Sequence, residues 1–331
     1  MTATLVASLE DLLTQSGPEA VELSGAAQSA WNGQVVEVTG EVLGLAHWDG
    51  TLYLGDAILD PLRQMYERAG SRQPVADLVR YRESLATILH EQAHFLGPAG
   101  ATQEAAQAAF IQPGGRQLEE GVAEAWAHDH LNDFLTRLGV DEVAPGIKDV
   151  KVSGYYPSFV PAVRILTTDL DNRTGLHRGE VLNELNRQTA EGQLPLLVTL
   201  LYDSSQLPDL DTPAEAVEVR GRLEHLLREG LTQLDAYEFH PPGFAAARSR
   251  STTSALLDRL NTQLKAAESH HHPHPTACAL PAPTTTSRLN PSPHDAAFSG
   301  LAPPTHHPPS PTPTTARSPN RSPTPPKPLT R

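Results

Sequence analysis

The chain of 331 residues has a formal net charge of −14 and a single cysteine, Cys278. Its acidity argues against a nucleic-acid partner, because binding phosphates requires clustered Lys and Arg, and one cysteine excludes an intrachain disulfide. No stretch approaches the roughly 20 apolar residues of a membrane span, and residues 1–30 lack a secretory signal, so a cytoplasmic protein without a membrane partner is expected, although export that needs no cleavable signal would leave the same sequence.

The N-terminal part of the chain predicts a short helix followed by a small sheet. An amphipathic helix is predicted over residues 5–13. Three apolar runs come next, and Asp49-Gly50 is a strong turn signal between the last two. They predict an antiparallel sheet with strands at residues 35–38, 42–45 and 51–54.

Helical patterns dominate the rest of the chain. The connection over residues 97–117 contains several Gly and Pro residues and is long enough to form the wall or lid of a cleft. The predicted helices cover residues 56–69, 74–96, 118–138, 158–170, 178–190, 193–203, 214–234 and 252–267.

The helix predicted over residues 74–96 carries an HExxH sequence, His90-Glu91-Gln92-Ala93-His94. Side chains four residues apart share one face of a helix, so both imidazoles could reach one metal ion, with the Glu beside them. In a chain with 15 His, such a sequence arises by chance in about one case in twenty. The helix is apolar around most of its circumference, so these polar groups are expected to be buried and to need a partner, which a metal ion supplies.

A third ligand is expected, because catalytic zinc usually takes three side chains and leaves one position for water. Glu120 lies on the core-facing stripe of the next helix, whereas Glu119 is rotated by about 100° and is expected nearer to solvent. Glu124 follows one turn after Glu120, where it can accept a proton from a ligating His. His128 and His130 could replace Glu120 as a ligand, but they lie off its face.

The HExxH run, together with the Glu-Gly-Val-Ala-Glu run of residues 120–124, resembles the gluzincin group of zinc metallopeptidases. The resemblance covers residues 75–138 at most. In that group, the third ligand is a Glu on a following helix. The gap between the two runs is longer than in aminopeptidase-type members, and the chain has no Gly-Ala-Met-Glu-Asn sequence, so aminopeptidase specificity is not implied.

The resemblance implies one Zn²⁺ per chain, held by His90, His94 and Glu120. It also implies that Glu91 is the general base and that Glu124 orients a ligating imidazole. Zinc held in this way lowers the pKa of its bound water to about 7 and polarises a scissile carbonyl. A peptide or protein is therefore the expected substrate.

The oxyanion formed during peptide hydrolysis needs a hydrogen-bond donor besides zinc. In gluzincins this donor is commonly a Tyr or His that follows the third ligand, and the candidates here are Tyr155, Tyr156 and His177. The two Tyr lie in a Gly-Tyr-Tyr-Pro sequence, where a packing or turn role is the more frequent alternative.

Residues 270–331 are predicted to be disordered. They contain 17 of the 30 Pro and 7 of the 15 His, with Phe298 as the only aromatic residue, a composition that cannot form a core. The four His between residues 270 and 274 could bind transition metals, although low-complexity sequence is the more frequent explanation.

These patterns predict an α+β fold with a small N-terminal antiparallel sheet, a zincin-like active-site helix, a mostly helical C-terminal half and a disordered tail. The expected function is zinc-dependent hydrolysis of peptide bonds. One alternative is a zinc-binding interaction or regulatory protein without turnover, and another is a structural helical protein with a coincidental motif. The predicted parts are an N-terminal helical segment (1–30), a zincin-like metallopeptidase domain (31–245), a C-terminal helix (246–269) and the tail (270–331).

Overall fold

The computed structural model describes residues 6–271 of the chain. The tail was predicted from residue 270, but His270 and His271 still belong to the last helix. Residues 272–331, including Cys278, lie outside the described residues. Within residues 6–271, helices dominate and the strands are short and N-terminal, which confirms the mostly helical α+β class. No helix in this range is long and apolar enough to cross a membrane.

The helices follow the predicted order, with some short additions, but the first helix covers Leu9–Ser24 rather than residues 5–13. A 3-10 helix at Gln233–Tyr237 joins the last two α-helices. The α-helices are α1 (Leu9–Ser24), α2 (Asp56–Glu67), α3 (Val75–Ala93), α4 (Gln103–Phe110), α5 (Gly115–Arg137), α6 (Val140–Val143), α7 (Val160–Thr174), α8 (Glu180–Asn186), α9 (Ala190–Asp203), α10 (Leu207–Leu210), α11 (Pro213–Thr232) and α12 (Pro242–His271).

The predicted N-terminal sheet is present, but it is mixed rather than antiparallel. Its strands are β2 (Val35–Val38), β3 (Gly44–Ala46) and β4 (Leu52–Gly55), in the order β2-β4-β3. The hairpin through Asp49-Gly50 pairs β3 antiparallel with β4, as predicted. Because β3 takes one edge of β4, β2 can pair only with the other edge, where it runs parallel.

A second pair of strands, which the sequence did not predict, fixes the end of α3. Strand β1 (Gln28–Ser29) pairs antiparallel with β5 (Leu96–Gly97), which starts two residues after His94. The backbone N–H of Ala30 also donates to the carbonyl of Phe95 at 2.7 Å. The last turn of α3 is thereby held against the N-terminal segment.

The connection predicted as a cleft wall or lid contains α4. Its N-cap is Thr102, whose side chain accepts a hydrogen bond from the N–H of Ala105. Buried Ala106 and Phe110 turn one side of α4 inward, and the helix packs on α9 and α5. A packed helix therefore accounts for much of this connection.

Among the described residues, helices α3 and α5 share the most extensive helix–helix contact. Tyr81 of α3 and Phe134 of α5 are fully buried, and burial of a side chain such as Phe134 contributes about 1.5–3 kcal/mol. Gly121 lets α7 approach α5, because a Cβ at this position would lie 2.6 Å from Cγ2 of Val163. This packing fixes the turn of α5 that carries Glu120.

Candidate metal centre

Three potential metal ligands converge between α3 and α5. His90 and His94 lie at the end of α3, Glu120 lies in the second turn of α5, and all three are buried. The two Nε2 atoms are 3.1 Å apart, and Oε2 of Glu120 is 3.3 Å from each of them. The three residues therefore form a buried group that could hold a metal ion.

A carboxylate lies beside the outer nitrogen of each imidazole. Nδ1 of His90 lies 2.8 Å from Glu124, and Nδ1 of His94 lies 2.8 Å from Glu119. A carboxylate at this distance favours a proton on Nδ1, which leaves Nε2 as the nitrogen available to ligate a metal ion. Both imidazoles thus present lone pairs toward each other and toward Glu120.

The three facing atoms need a positive charge between them, which a proton or a metal ion can supply. Two nitrogen lone pairs and a carboxylate oxygen repel one another at about 3 Å, and buried Oε2 of Glu120 has no well-oriented donor among the described residues. The carboxylates of Glu91, Glu119, Glu120 and Glu124 are all buried around the two imidazoles, with the partly exposed His128 beside Glu124. Uncompensated buried charge is costly, so the residues present fit a divalent metal ion.

In the metal-free group, a proton takes the place of a metal ion. Burial acts to lower the pKa of His90, but the neighbouring carboxylates of Glu120 and Glu124 outweigh it and hold that pKa well above its ordinary value. Burial acts to raise the pKa of Glu120, but the charge of His94 and the contacts with both imidazoles hold it well below the ordinary range. Glu120 is therefore ionised, as a metal ligand must be.

Glu119 does not lie near solvent, so that prediction was wrong. Its side chain is buried and contacts His94. The prediction assumed a single buried face, but α5 packs against α3, α4, α7, α8, α9 and α11 and is buried around most of its first four turns. A rotation of about 100° from Glu120 still faces a neighbouring helix.

Glu124 connects the buried group to its surroundings. Besides His90, it contacts His128 at 3.2 Å and accepts a hydrogen bond from the backbone N–H of Tyr155. Burial acts to raise the pKa of Glu124, but hydrogen bonds from His128 and His90 lower it to about 2. His128 thus contacts Glu124 rather than the three converging atoms, and His130 contacts Asn183 at 2.9 Å. Neither His belongs to the group of potential ligands.

Glu91 is held by a backbone donor from the sheet. Its Oε2 accepts a hydrogen bond from the N–H of Ala46 in β3 at 2.7 Å. The close approach depends on Gly44, since a Cβ there would lie 2.7 Å from both Cγ and Oε1 of Glu91. Sequence reasoning missed this contact, because no local pattern relates β3 to a side chain 45 residues away.

Of the three candidate oxyanion donors, Tyr156 lies beside the ligands. Its ring stacks on that of His90, with centroids 5.7 Å apart, and its φ of 55° is strained for a non-glycine residue. Burial and the charge of Glu120 raise the pKa of Tyr156 well above its ordinary value. The side chain of Tyr155, in contrast, is 47% exposed. His177 is also exposed, in the loop after α7, where its backbone N–H donates a hydrogen bond to Glu180.

Replacing Glu119 by Gln is expected to weaken zinc binding by about 10- to 100-fold, because the neutral amide no longer supports the basicity of His94. The measurement is a zinc dissociation constant by competition with a chelator. The matched control is Glu104→Gln, on the exposed side of α4, which is expected to bind zinc like the wild type. Equal dissociation constants for Glu119→Gln and the wild type would contradict a role in orienting His94.

No protein-family model, no curated protein and no solved structure matches this chain. The function is therefore inferred from the geometry of the buried group and of the residues around it.

Proposed function

We propose that the protein is a zinc-dependent metallopeptidase. The observation that carries the proposal is the convergence of His90, His94 and Glu120 within hydrogen-bonding distance of one another, with Glu91 on the same helical turn. Two imidazoles and one carboxylate form a ligand set typical of hydrolytic zinc sites. Bound there, zinc would act as a Lewis acid that activates water and polarises a carbonyl group.

Glu91 is the general base in this proposal. The N–H of Ala46 holds one carboxylate oxygen, which leaves the other to take a proton from the attacking water. The same carboxyl group then delivers the proton to the departing amine. The hydrogen bond from β3 orients the carboxylate of Glu91 and uses only one of its two oxygens.

The position of β3 favours an extended peptide as the substrate. β3 is an edge strand of its sheet. The carbonyl of Leu43 accepts from Gly55 of β4, and the N–H of His47 donates to Thr51 just before β4. Because pairing alternates along an antiparallel strand, both backbone groups of Gly44 and the carbonyl of Ala46 point to the other side, where the N–H of Ala46 donates to Glu91. A peptide that paired with this edge would lie beside Glu91.

Tyr156 is the proposed donor to the oxyanion. Its ring lies over His90, and its raised pKa keeps the hydroxyl protonated at neutral pH, so it can donate a hydrogen bond. Tyr155 is half exposed and contributes its backbone N–H to Glu124. These placements favour Tyr156 over Tyr155 and His177.

The Tyr156→Phe variant is expected to lower kcat by about 10²- to 10³-fold, the usual cost of losing one oxyanion donor. KM is expected to change little, because the contact forms as charge develops on the substrate oxygen. Kinetics with a fixed peptide substrate, together with zinc content, measure this. Tyr155→Phe is the matched variant, and a larger loss of kcat there would move the role to Tyr155.

The proposed activity can be tested with the zinc-loaded full chain and a mixture of peptides of diverse sequence, with products identified by mass spectrometry. New peptide termini are expected to appear, to vanish with a chelator and to return when zinc is restored. If the protein bound one equivalent of zinc but cleaved neither the peptides of the mixture nor unfolded proteins, the result would favour the non-catalytic zinc-binding alternative.

A further inference from the structure

A groove with a volume of about 350 Å³ lies at the junction of the C-terminal end of α10, the first turn of α11 and the last turn of α12. Asp211, Glu215 and His271 line it, one from each of these three places. None of them belongs to the candidate metal centre. The groove brings together residues that are up to 60 positions apart in the chain.

These three residues have the chemistry and spacing of metal ligands. Each offers one ligand atom, and the three atoms lie within 4.8 Å of one another. Nε2 of His271 is 2.7 Å from Oδ1 of Asp211. Bonds of about 2.0–2.2 Å to a shared ion place donor atoms roughly 3–4.4 Å apart, so small side-chain rotations suffice to surround one.

Both carboxylates are fixed in advance by protein donors. Oδ2 of Asp211 accepts a hydrogen bond from the hydroxyl of Tyr202 at 3.0 Å, and the Asp211 side chain is 1% exposed. Oε2 of Glu215 accepts from the N–H and the hydroxyl of Thr212, at 2.8 and 2.7 Å, in the capping box of α11. Each carboxylate is thus anchored through one oxygen and can present the other to an ion.

The charges around the groove favour a cation. Glu218 adds a further carboxylate to its lining. Arg222, the arginine that lines the groove, is already engaged with Glu218 at 2.7 Å. The groove therefore keeps an excess of negative charge beside a His that can ligate when neutral.

We propose that Asp211, Glu215 and His271 form a second, peripheral site for a divalent transition-metal ion. One imidazole with two carboxylates suits zinc and its first-row neighbours. An ion there fastens the end of α12 to the start of α11, and binding to the folded state alone raises thermal stability. The site gives part of the His-rich run a scaffold, because His271 is the last residue of α12.

The test is a zinc titration of the metal-free full chain by equilibrium dialysis and elemental analysis. Two zinc ions per chain are expected in the wild type. Asp211→Asn and Glu215→Gln are each expected to lose one zinc and the rise in melting temperature that accompanies it. Two variants guard against a local folding defect in either one, and each is checked by circular dichroism.

The matched control replaces His272 and His274 by Gln, which changes the same residue type in the same run and leaves the three proposed ligands intact. This control is expected to keep both zinc ions. If Asp211→Asn bound as many zinc ions as the wild type, the proposal would be overturned, and His271 and Asp211 would form only an ion pair. The proposal would also fail if Asp211→Asn kept the second zinc ion and the His272/His274 control lost it. Loss of the α3–α5 centre alone leaves the Asp211-dependent zinc in place, so the two proposals fail separately.

Discussion

The Glu91→Gln variant is expected to lose about 10²- to 10⁴-fold in kcat, the range for removal of a general acid–base, while it keeps its zinc. The amide cannot take a proton from water, but it has nearly the same shape as the carboxylate. It can also still accept the hydrogen bond from Ala46 that holds Glu91 in the structure. Steady-state kinetics and zinc analysis on the same preparation measure both quantities.

Glu83→Gln is the matched control for this substitution. Glu83 lies on the same helix, two turns before Glu91, and is partly exposed. We expect its turnover and zinc content to equal those of the wild type. A Glu91→Gln protein that is fully active would rule out the general base and, with it, the proposed mechanism.

The Glu120→Ala variant is expected to bind zinc about 10³-fold more weakly, since the roughly 10–16 kcal/mol of a four-ligand zinc site is shared among its ligands. Glu120 is the only one of the three convergent ligands with a formal negative charge, so its loss also removes the charge that faces the ion. Chelator competition gives the affinity, and the zinc-dependent rise in melting temperature gives an independent measure.

Two further substitutions separate ligation from simple packing. Glu120→Gln keeps the side-chain volume and is expected to bind zinc nearly as weakly as Glu120→Ala. Glu119→Gln removes a charge one residue away and is expected to cost less. If both Glu120 variants bound zinc like the wild type, another residue would have to be the third ligand.

The sequence allowed His90, His94 and Glu120 to be located as potential ligands because their geometry is mostly local. His90 and His94 are one helical turn apart, so the backbone alone places them together. Glu120 followed from the phase of a helix whose apolar stripe had to face the core. The existence of most helices was predictable for the same reason.

The parts that sequence reasoning missed depend on contacts between distant segments. Burial of Glu119 results from the helices that surround α5, which the pattern of α5 alone does not contain. The contact between Ala46 and Glu91, and the contact of His271 with Asp211, join residues 45 and 60 positions apart. Strand β2 likewise pairs with the far edge of β4 because β3 occupies the near edge, and there it runs parallel to β4.

The most direct test of the central claim is X-ray absorption at the zinc K edge on the full-length Asp211→Asn variant, which lacks the proposed peripheral site, loaded with one equivalent of zinc. The account predicts two imidazole nitrogens at about 2.0–2.1 Å, completed by oxygen ligands, and fewer oxygen neighbours at short distance in Glu120→Gln. A spectrum with one imidazole or none, or a folded protein that binds no zinc, would contradict a metal centre at His90, His94 and Glu120.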